Sequence, residues 1–410
     1  MSTTAFLVRH ALKPRIQTSQ FIARKFRQVR LFQAFPDHDS ALLKTPLASL
    51  DSVKSFANKF YLQTTSEDDI PLRDGQRLVC VGDVHGDYTA LCRFLKIAGV
   101  MNNNEQWCGG DSILVQCGDV LDRGSEELKC FSLLSRLSQQ APVNDGQVIV
   151  LWGNHEVLNS LGDFYYTTGD DEYQQQVGVI VDNALGSTYW RAQFADYQPS
   201  RWATYEPGGI LAEPLLKNLK VAVKVGKTVC VHAGLTKRLL EENGGLTGMN
   251  QAAQTWIQQV HHKDFNNNFG HYTSEKEAIE SAQQRRNIAH SSAPPVFLGG
   301  IGDSTPIWMR AYSMPADRDL HNPKTIGMLR DVLQELEAER LVMGHTVQSQ
   351  INSAISGMAW RIDVGASKGV ASGTPEVLEV IRQGKEEIVS ILTPSGKLAS
   401  RERHTVESLV

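Results

Sequence analysis

The sequence predicts an α/β fold of the α+β kind, and three observations predict it. Apolar, β-branched runs recur along the chain, each ending in glycine beside Asp, His or Asn. The first three runs each lead into a segment with helical spacing. The last part reads as strands joined by tight turns. Short apolar runs bounded by turn residues read as buried strands, and their alternation with helices argues an α/β architecture.

The elements follow in order. Strand 77–83 leads into Thr89 to Gly99, where Leu91, Phe94, Leu95 and Ala98 keep helical spacing and Gly99 suits the carboxyl cap. Strand 112–118 leads into Glu126 to Gln140, with Leu128, Phe131 and Leu134 on one face. Strand 148–153 leads into a helix from Glu156. Residues 163–218, rich in Gln, Asp, Tyr and Trp with weak periodicity, read as an insertion or cap. Val221 to Val225, Gly226-Lys227 and Thr228 to Val231 read as a hairpin. A second polar insertion covers 241–306, and Thr325 to Arg340 is an amphipathic helix before the strand Leu341 to Met343. Arg361 to Val364, Val377 to Ile381 and Glu387 to Leu392 read as antiparallel strands. The domain is thus expected over 75–395, after an extension or linker at 37–74 and before a polar tail at 396–410.

Bulk properties narrow the function. Over 410 residues, 41% hydrophobic and 21% charged residues are ordinary for a globular enzyme. No apolar stretch approaches the roughly 18 residues of a membrane span. A net charge of −4 argues against a general nucleic-acid binder. Residues 1–36 hold seven Lys or Arg and no Asp or Glu, so this segment resembles an organelle transit peptide for a mitochondrion or plastid. The other reading is a basic tail on a cytoplasmic protein. Six cysteines without C-x-x-C pairing fit a reducing compartment.

Five segments carry the chemistry: Asp83-Val84-His85-Gly86, Gly118-Asp119-Val120-Leu121-Asp122-Arg123-Gly124, Gly153-Asn154-His155-Glu156, Val231-His232-Ala233-Gly234 and Gly344-His345-Thr346. Each follows a predicted strand, so they are expected to converge on one edge of a sheet, where α/β folds place ligands. Asp83 and His85, two apart on extended chain, point the same way. Asp119 offers two oxygens that can bridge two ions, and Asn154, His232 and His345 add neutral donors. Oxygen and nitrogen donors without thiolate suit Mn²⁺, Fe or Zn²⁺. Two such ions roughly 3.5–4 Å apart would clamp a phosphoryl oxygen and deliver a bound hydroxide for in-line attack. His155 would protonate the leaving group, Asp122 would orient it, and Arg123 offers a planar fork for phosphate. Taken singly, each has a plain structural reading, such as a turn, a helix cap or a surface ion pair. Their ordered co-occurrence at strand ends is what favours the joint site.

The order GDVHGD, GDVLDRG, GNHE, HAG and GHT resembles the phosphoprotein phosphatase family of calcineurin-like metallophosphoesterases. The segments Gln116 to Leu128, Gly162-Asp163-Phe164, Arg361 to Gly365 and Pro375 to Glu379 resemble its Shewanella-like branch. The resemblance covers roughly 76 to 382. It implies a four-layer fold with a central β-sandwich flanked by helices, two divalent metal ions, and hydrolysis of phosphomonoesters on a phosphoprotein substrate. By that resemblance the metal ligands fall on Asp83, His85, Asp119, Asn154, His232 and His345, the acid pair on His155 and Asp122, and a phosphate-binding arginine on Arg123. A second such arginine lies between HAG and GHT in the family, and Arg310 is the best candidate. The tyrosine-bearing segment of the better-known Ser/Thr phosphatases is not recognisable after His345, and neither are docking features for regulatory partners. Phosphoserine, phosphothreonine or phosphotyrosine could be the substrate. The competing expectations are a dinucleoside polyphosphate hydrolase of the same superfamily and a non-catalytic scaffold, the latter opposed by the full set of catalytic residues.

Overall fold

Twelve strands form two six-stranded sheets among the described residues of the computed structural model, which are 57–168, 201, 204–259, 294–299, 304–314 and 320–399. The expected transit peptide at 1–36 and much of both expected insertions lie outside these residues. The strands are β1 (Asp69–Ile70), β2 (Arg77–Val81), β3 (Ile113–Gln116), β4 (Gln147–Val150), β5 (Ala222–Val225) and β6 (Thr228–Val231). They continue with β7 (Arg340–Met343), β8 (Asn352–Ala354), β9 (Ala359–Arg361), β10 (Val377–Gln383), β11 (Glu386–Thr393) and β12 (Gly396–Ala399). The main helices are α1 (Tyr88–Ile97), α2 (Glu127–Gln140), α3 (Asn154–Ser160), α4 (Lys237–Asn243), α5 (Gly245–Ile257), α6 (Val296–Gly299) and α7 (Pro323–Glu335).

One sheet runs β12-β11-β10-β2-β3-β4 and the other β1-β5-β6-β7-β9-β8. Strands β2, β3 and β4 are parallel, joined by α1 and α2 as crossover helices. The sheets meet face to face: Cys80 Sγ on β2 lies 3.6 Å from Cys230 Sγ on β6. Helix α2 packs on β4 and α5 on β5, which gives helix, sheet, sheet, helix layers. Strands β3, β6 and β7 are buried along their whole length, as strands covered on both faces must be. Helix α1 starts on Asp87, whose Oδ1 accepts the Ala90 N–H at 2.9 Å, and buries Leu91, Phe94 and Leu95. Each such side chain contributes about 1.5–3 kcal/mol of burial.

Several expectations need correction. The five motif-bearing strands divide between the two sheets, β2, β3 and β4 in one and β6 and β7 in the other, rather than sharing one sheet edge. A fully buried strand is a plain apolar run in either sheet, so the sequence could not assign partners. The Arg361 segment belongs to β9, parallel to β7, whereas β10 and β11 form a meander in the other sheet. Phe60, Leu62, Ile70 and Leu72 are buried and β1 pairs with β5, so the end of the 37–74 extension is part of the domain. Gly396–Ala399 pairs with β11 as an edge strand, so the sheet outlasts residue 395. Helix α5, inside the expected 241–306 insertion, buries Met249, Ala253, Trp256 and Ile257, with the Trp256 ring 5.8 Å from that of Trp152. Its Gly, Asn and Gln residues dilute the apolar stripe and hide the periodicity. No helix among the described residues is long and apolar enough to cross a membrane.

Candidate metal centre

Strands β2, β3, β4, β6 and β7 each end one to four residues before a motif residue, and the sandwich brings those ends together. Backbone bonds splice the loops: the N–H groups of Val84 and His85 both donate to Asp119 O, at 3.0 and 2.9 Å, and Gly344 N–H donates to His232 O at 2.9 Å. Glycine is required where these loops touch. A Cβ on Gly153 would collide with Asp119 Oδ1, and one on Gly344 with Asp83 Oδ1.

Asp119 Oδ2 is the centre of the arrangement. His232 Nε2 lies 3.3 Å from it, and His85 Nε2 and His155 Nε2 each lie 3.8 Å away. Asn154 Oδ1 is 3.0 Å from His232 Nε2, and Asp83 Oδ2 is 4.0 Å from His85 Nε2. Two overlapping sets, His85, Asp119 and His155, then Asp119, His232 and His345, have donor atoms within 4.8 Å of one another. The histidine orientations are fixed from behind. His85 Nδ1 contacts Leu121 O at 3.0 Å and His232 Nδ1 contacts Cys117 O at 2.7 Å. A carbonyl only accepts, so these Nδ1 atoms carry protons and Nε2 is the nitrogen turned toward the donor cluster. Burial there works against a charged His232, but Asp119 outweighs it and raises its pKa.

The electrostatics fit a cation. Burial, reinforced by Asp363 and Asp119, pushes Asp83 well above the usual carboxylate range. Burial opposes ionisation of Asp119, yet His232, His155 and His85 together hold it well below that range. Burial lowers His85 to about 4 against the pull of Asp119, and burial with the neighbouring His232 lowers His345 to about 2. Both therefore stand neutral, the form that binds metal. His345 Nε2 is buried without a hydrogen-bond partner. An orphaned imidazole nitrogen beside crowded buried carboxylates is what a divalent ion would satisfy.

Five residues here adopt left-handed backbone: His85 (φ 47°), Asp119 (55°), Asp122 (68°), Arg123 (64°) and His345 (65°). Such conformations cost free energy and persist only when the surroundings impose them. Glu156 imposes much of this geometry, a role sequence reasoning missed although the residue lies in GNHE. Its Oε1 accepts the N–H groups of Val120 (2.8 Å) and Leu121 (3.0 Å), and its Oε2 those of Asp119 and Gly153 (both 2.9 Å). Burial and the Asp119 charge push this carboxyl up to about 7, against those hydrogen bonds. Glu156→Gln turns two of the four acceptor positions into a donor facing donors. It is expected to destabilise the fold by about 2–6 kcal/mol, from two unmet buried N–H groups. Denaturant unfolding checks this, and an unchanged midpoint would mean that the loop holds itself.

The other expected residues gather at the same place. His155 Nδ1 lies 2.6 Å from Asp122 Oδ2, with both side chains buried. Burial works against the charged imidazole, but Asp119 and Asp122 outweigh it and raise the His155 pKa. The Arg123 guanidinium sits 5.3 Å over the Tyr166 ring, whose centroid is 4.9 Å from that of His155. Arg310 Nη1 donates to Thr346 Oγ1 at 2.9 Å, beside His345. Sequence reasoning also missed Tyr166, Asn159, Glu127 and Arg201. The last three form a buried network behind Asp122, and no local motif marks a contact made across 79 residues.

Comparison with known proteins agrees with this geometry. The Calcineurin-like phosphoesterase family matches residues 76–349. Shewanella-like protein phosphatase 2 of Arabidopsis thaliana is 32% identical over 342 residues, which span 77% of this chain and 78% of that protein. Shewanella-like protein phosphatase 1 of Plasmodium berghei is 24% identical, over 73% of this chain and 69% of that protein. The crystal structure of a cold-active protein-tyrosine phosphatase from a psychrophilic Shewanella aligns with a TM-score of 0.55 at 20% identity, covering 90% of this chain and 89% of that one. At that identity the likeness speaks for the fold alone. Membership of the matched family implies divalent metal ions, which the donor set above fits. The chain belongs to the calcineurin-like phosphoesterases and, among them, to the Shewanella-like protein phosphatases.

Proposed function

We propose that this protein is a metal-dependent phosphoprotein phosphatase that hydrolyses phosphomonoesters on serine or threonine, with phosphotyrosine as a further substrate. The observation that carries the reading is the buried His155–Asp122 pair, 2.6 Å apart, set 3.8 Å from the carboxylate at the centre of the donor cluster. The names of the relatives support a protein substrate.

Asp83, His85, Asp119, Asn154, His232 and His345 would hold two divalent ions, Mn²⁺ by preference, with Fe or Zn²⁺ also compatible with these donors. When bound, the ions supply Lewis acidity and an activated water for in-line attack on phosphorus. The chain supplies the rest. His155 carries a proton on Nε2 and gives it to the departing oxygen, a contribution of about 10²- to 10⁴-fold. Asp122 accepts from Nδ1 and so fixes the ring and stabilises its charged form. Arg123 turns its fork to two phosphate oxygens, and Arg310, held at Thr346 beside His345, is the second arginine to meet the phosphate.

The test is phosphate release in Mn²⁺ from a phosphoserine/phosphothreonine peptide, a phosphotyrosine peptide and a dinucleoside tetraphosphate. Metal-dependent release from peptides supports the proposal and shows which side chain is preferred. Turnover of the dinucleotide alone would move the protein to nucleotide metabolism. Arg123→Ala is expected to lower kcat/KM about 10- to 100-fold, the loss of charged hydrogen bonds to phosphate. Normal kinetics in that variant would leave Arg123 as a partner of Tyr166 only.

A further inference from the structure

We propose that Arg201 is a positioning residue for leaving-group protonation: it clamps the Asp122 carboxylate so that one oxygen is left for His155. The inference rests on the reading of His155 as the acid and extends it to a residue far from the motifs. Arg201 is 3% exposed and uses its whole fork. Nη1 and Nη2 donate to the two oxygens of Glu127 at 2.8 and 2.7 Å. Nη2 also donates to Asp122 Oδ1 at 3.0 Å, and Nε donates to Asn159 Oδ1 at 2.5 Å. Asn159 closes the ring, donating from Nδ2 to Asp122 Oδ1 at 3.0 Å and to His155 O at 2.8 Å.

The division of labour on Asp122 follows. Oδ1 takes two donors, from Arg201 and Asn159, and Oδ2 faces His155 Nδ1. Its backbone is held as well, because Asp122 N–H donates to Glu127, the same carboxylate that Arg201 grips. Glu127 and Asp122 are 2% and 0% exposed, so two carboxylates are buried around one guanidinium. Only a planar, always-charged fork can satisfy three acceptor residues in this geometry; an ammonium is a point charge on a flexible stem. The hydrogen bonds of Arg201 in this network run to Glu127, Asp122 and Asn159. Of these, Asp122 is the one whose carboxylate meets the His155 ring, so Arg201 acts through Asp122.

A positioning role has a signature that bracing the fold lacks. A serine alkoxide needs its proton from His155, whereas an activated aryl leaving group departs with little acid help. The variants are Arg201→Lys and the double Arg201→Met/Glu127→Gln, which avoids stranding the Glu127 carboxylate and leaves Asp122 with His155 and Asn159. Each is compared with wild type on a phosphoserine peptide and on para-nitrophenyl phosphate, with metal content measured. The peptide rate is expected to fall about 10- to 100-fold and the aryl rate by less than about threefold, because a small misplacement of an acid costs this much. The downfield imidazole proton shared by His155 and Asp122, assigned by its absence in His155→Asn, is expected to shift or broaden in proton NMR. Equal losses on both substrates with an unmoved proton would overturn the proposal. If wild type hydrolyses neither substrate, the phosphatase reading fails, and the imidazole proton alone then decides whether Arg201 holds Asp122.

Discussion

Asp119→Asn is expected to lose both metal ions and at least about 10³-fold in phosphate release, since Lewis-acid stabilisation is worth several kcal/mol. The substitution keeps the shape and removes the charge. Asp119 Oδ1 accepts the His155 N–H at 3.1 Å, and an amide oxygen can take over that bond. At the Oδ2 position an NH₂ group would point at His232, His85 and His155 instead of a shared carboxylate oxygen. One atom contacts both halves of the cluster, so neither half should keep its ion. Elemental analysis and rate are the readouts, with cooperative unfolding as the control for structure. Two metals per chain in that variant would remove Asp119 as the bridge.

His155→Asn tests something the geometry leaves in two forms. His155 lies among the donor atoms around Asp119 and is also bonded to Asp122. As an acid, its loss should lower the phosphopeptide rate about 10²- to 10⁴-fold while both ions stay. As a ligand, its loss should take an ion with it. The bond to Asp122 and the upward pKa shift favour the acid, because a ligand must be unprotonated at Nε2. Metal content measured beside the rate therefore decides between the roles.

The parts legible in sequence are those in which one residue type declares both structure and chemistry. A buried strand ending in Gly-Asp or Gly-Asn-His shows its element by apolar run and its candidate ligands by polar terminus, so Asp83, Asp119, Asn154 and His345 are expected just past strand ends, where the fold gathers them. Partner choice was not legible, because β-branched runs look alike in either sheet. Neither was support supplied from a distance. Glu156 acts on backbone N–H groups 35 to 37 residues away, and Arg201 on carboxylates 74 to 79 residues away. Such contacts are products of the fold and leave no spacing to read. The edge strand β12 was missed because only four residues, two of them Gly and Lys, separate it from a tail.

The left-handed backbone of the motif residues also limits which amino acids these positions can hold. Asp, Asn and His are the non-glycine residues that enter this conformation most readily, and they are oxygen and nitrogen donors as well. At His85, Asp119 and His345, the ligands proposed above, two independent filters would thus select the same short alphabet. Glutamate passes the chemical filter but not the conformational one, so a longer carboxylate at 119 should fail even where its oxygens could reach. Variant libraries at these positions should return fewer functional residues than metal coordination alone would permit.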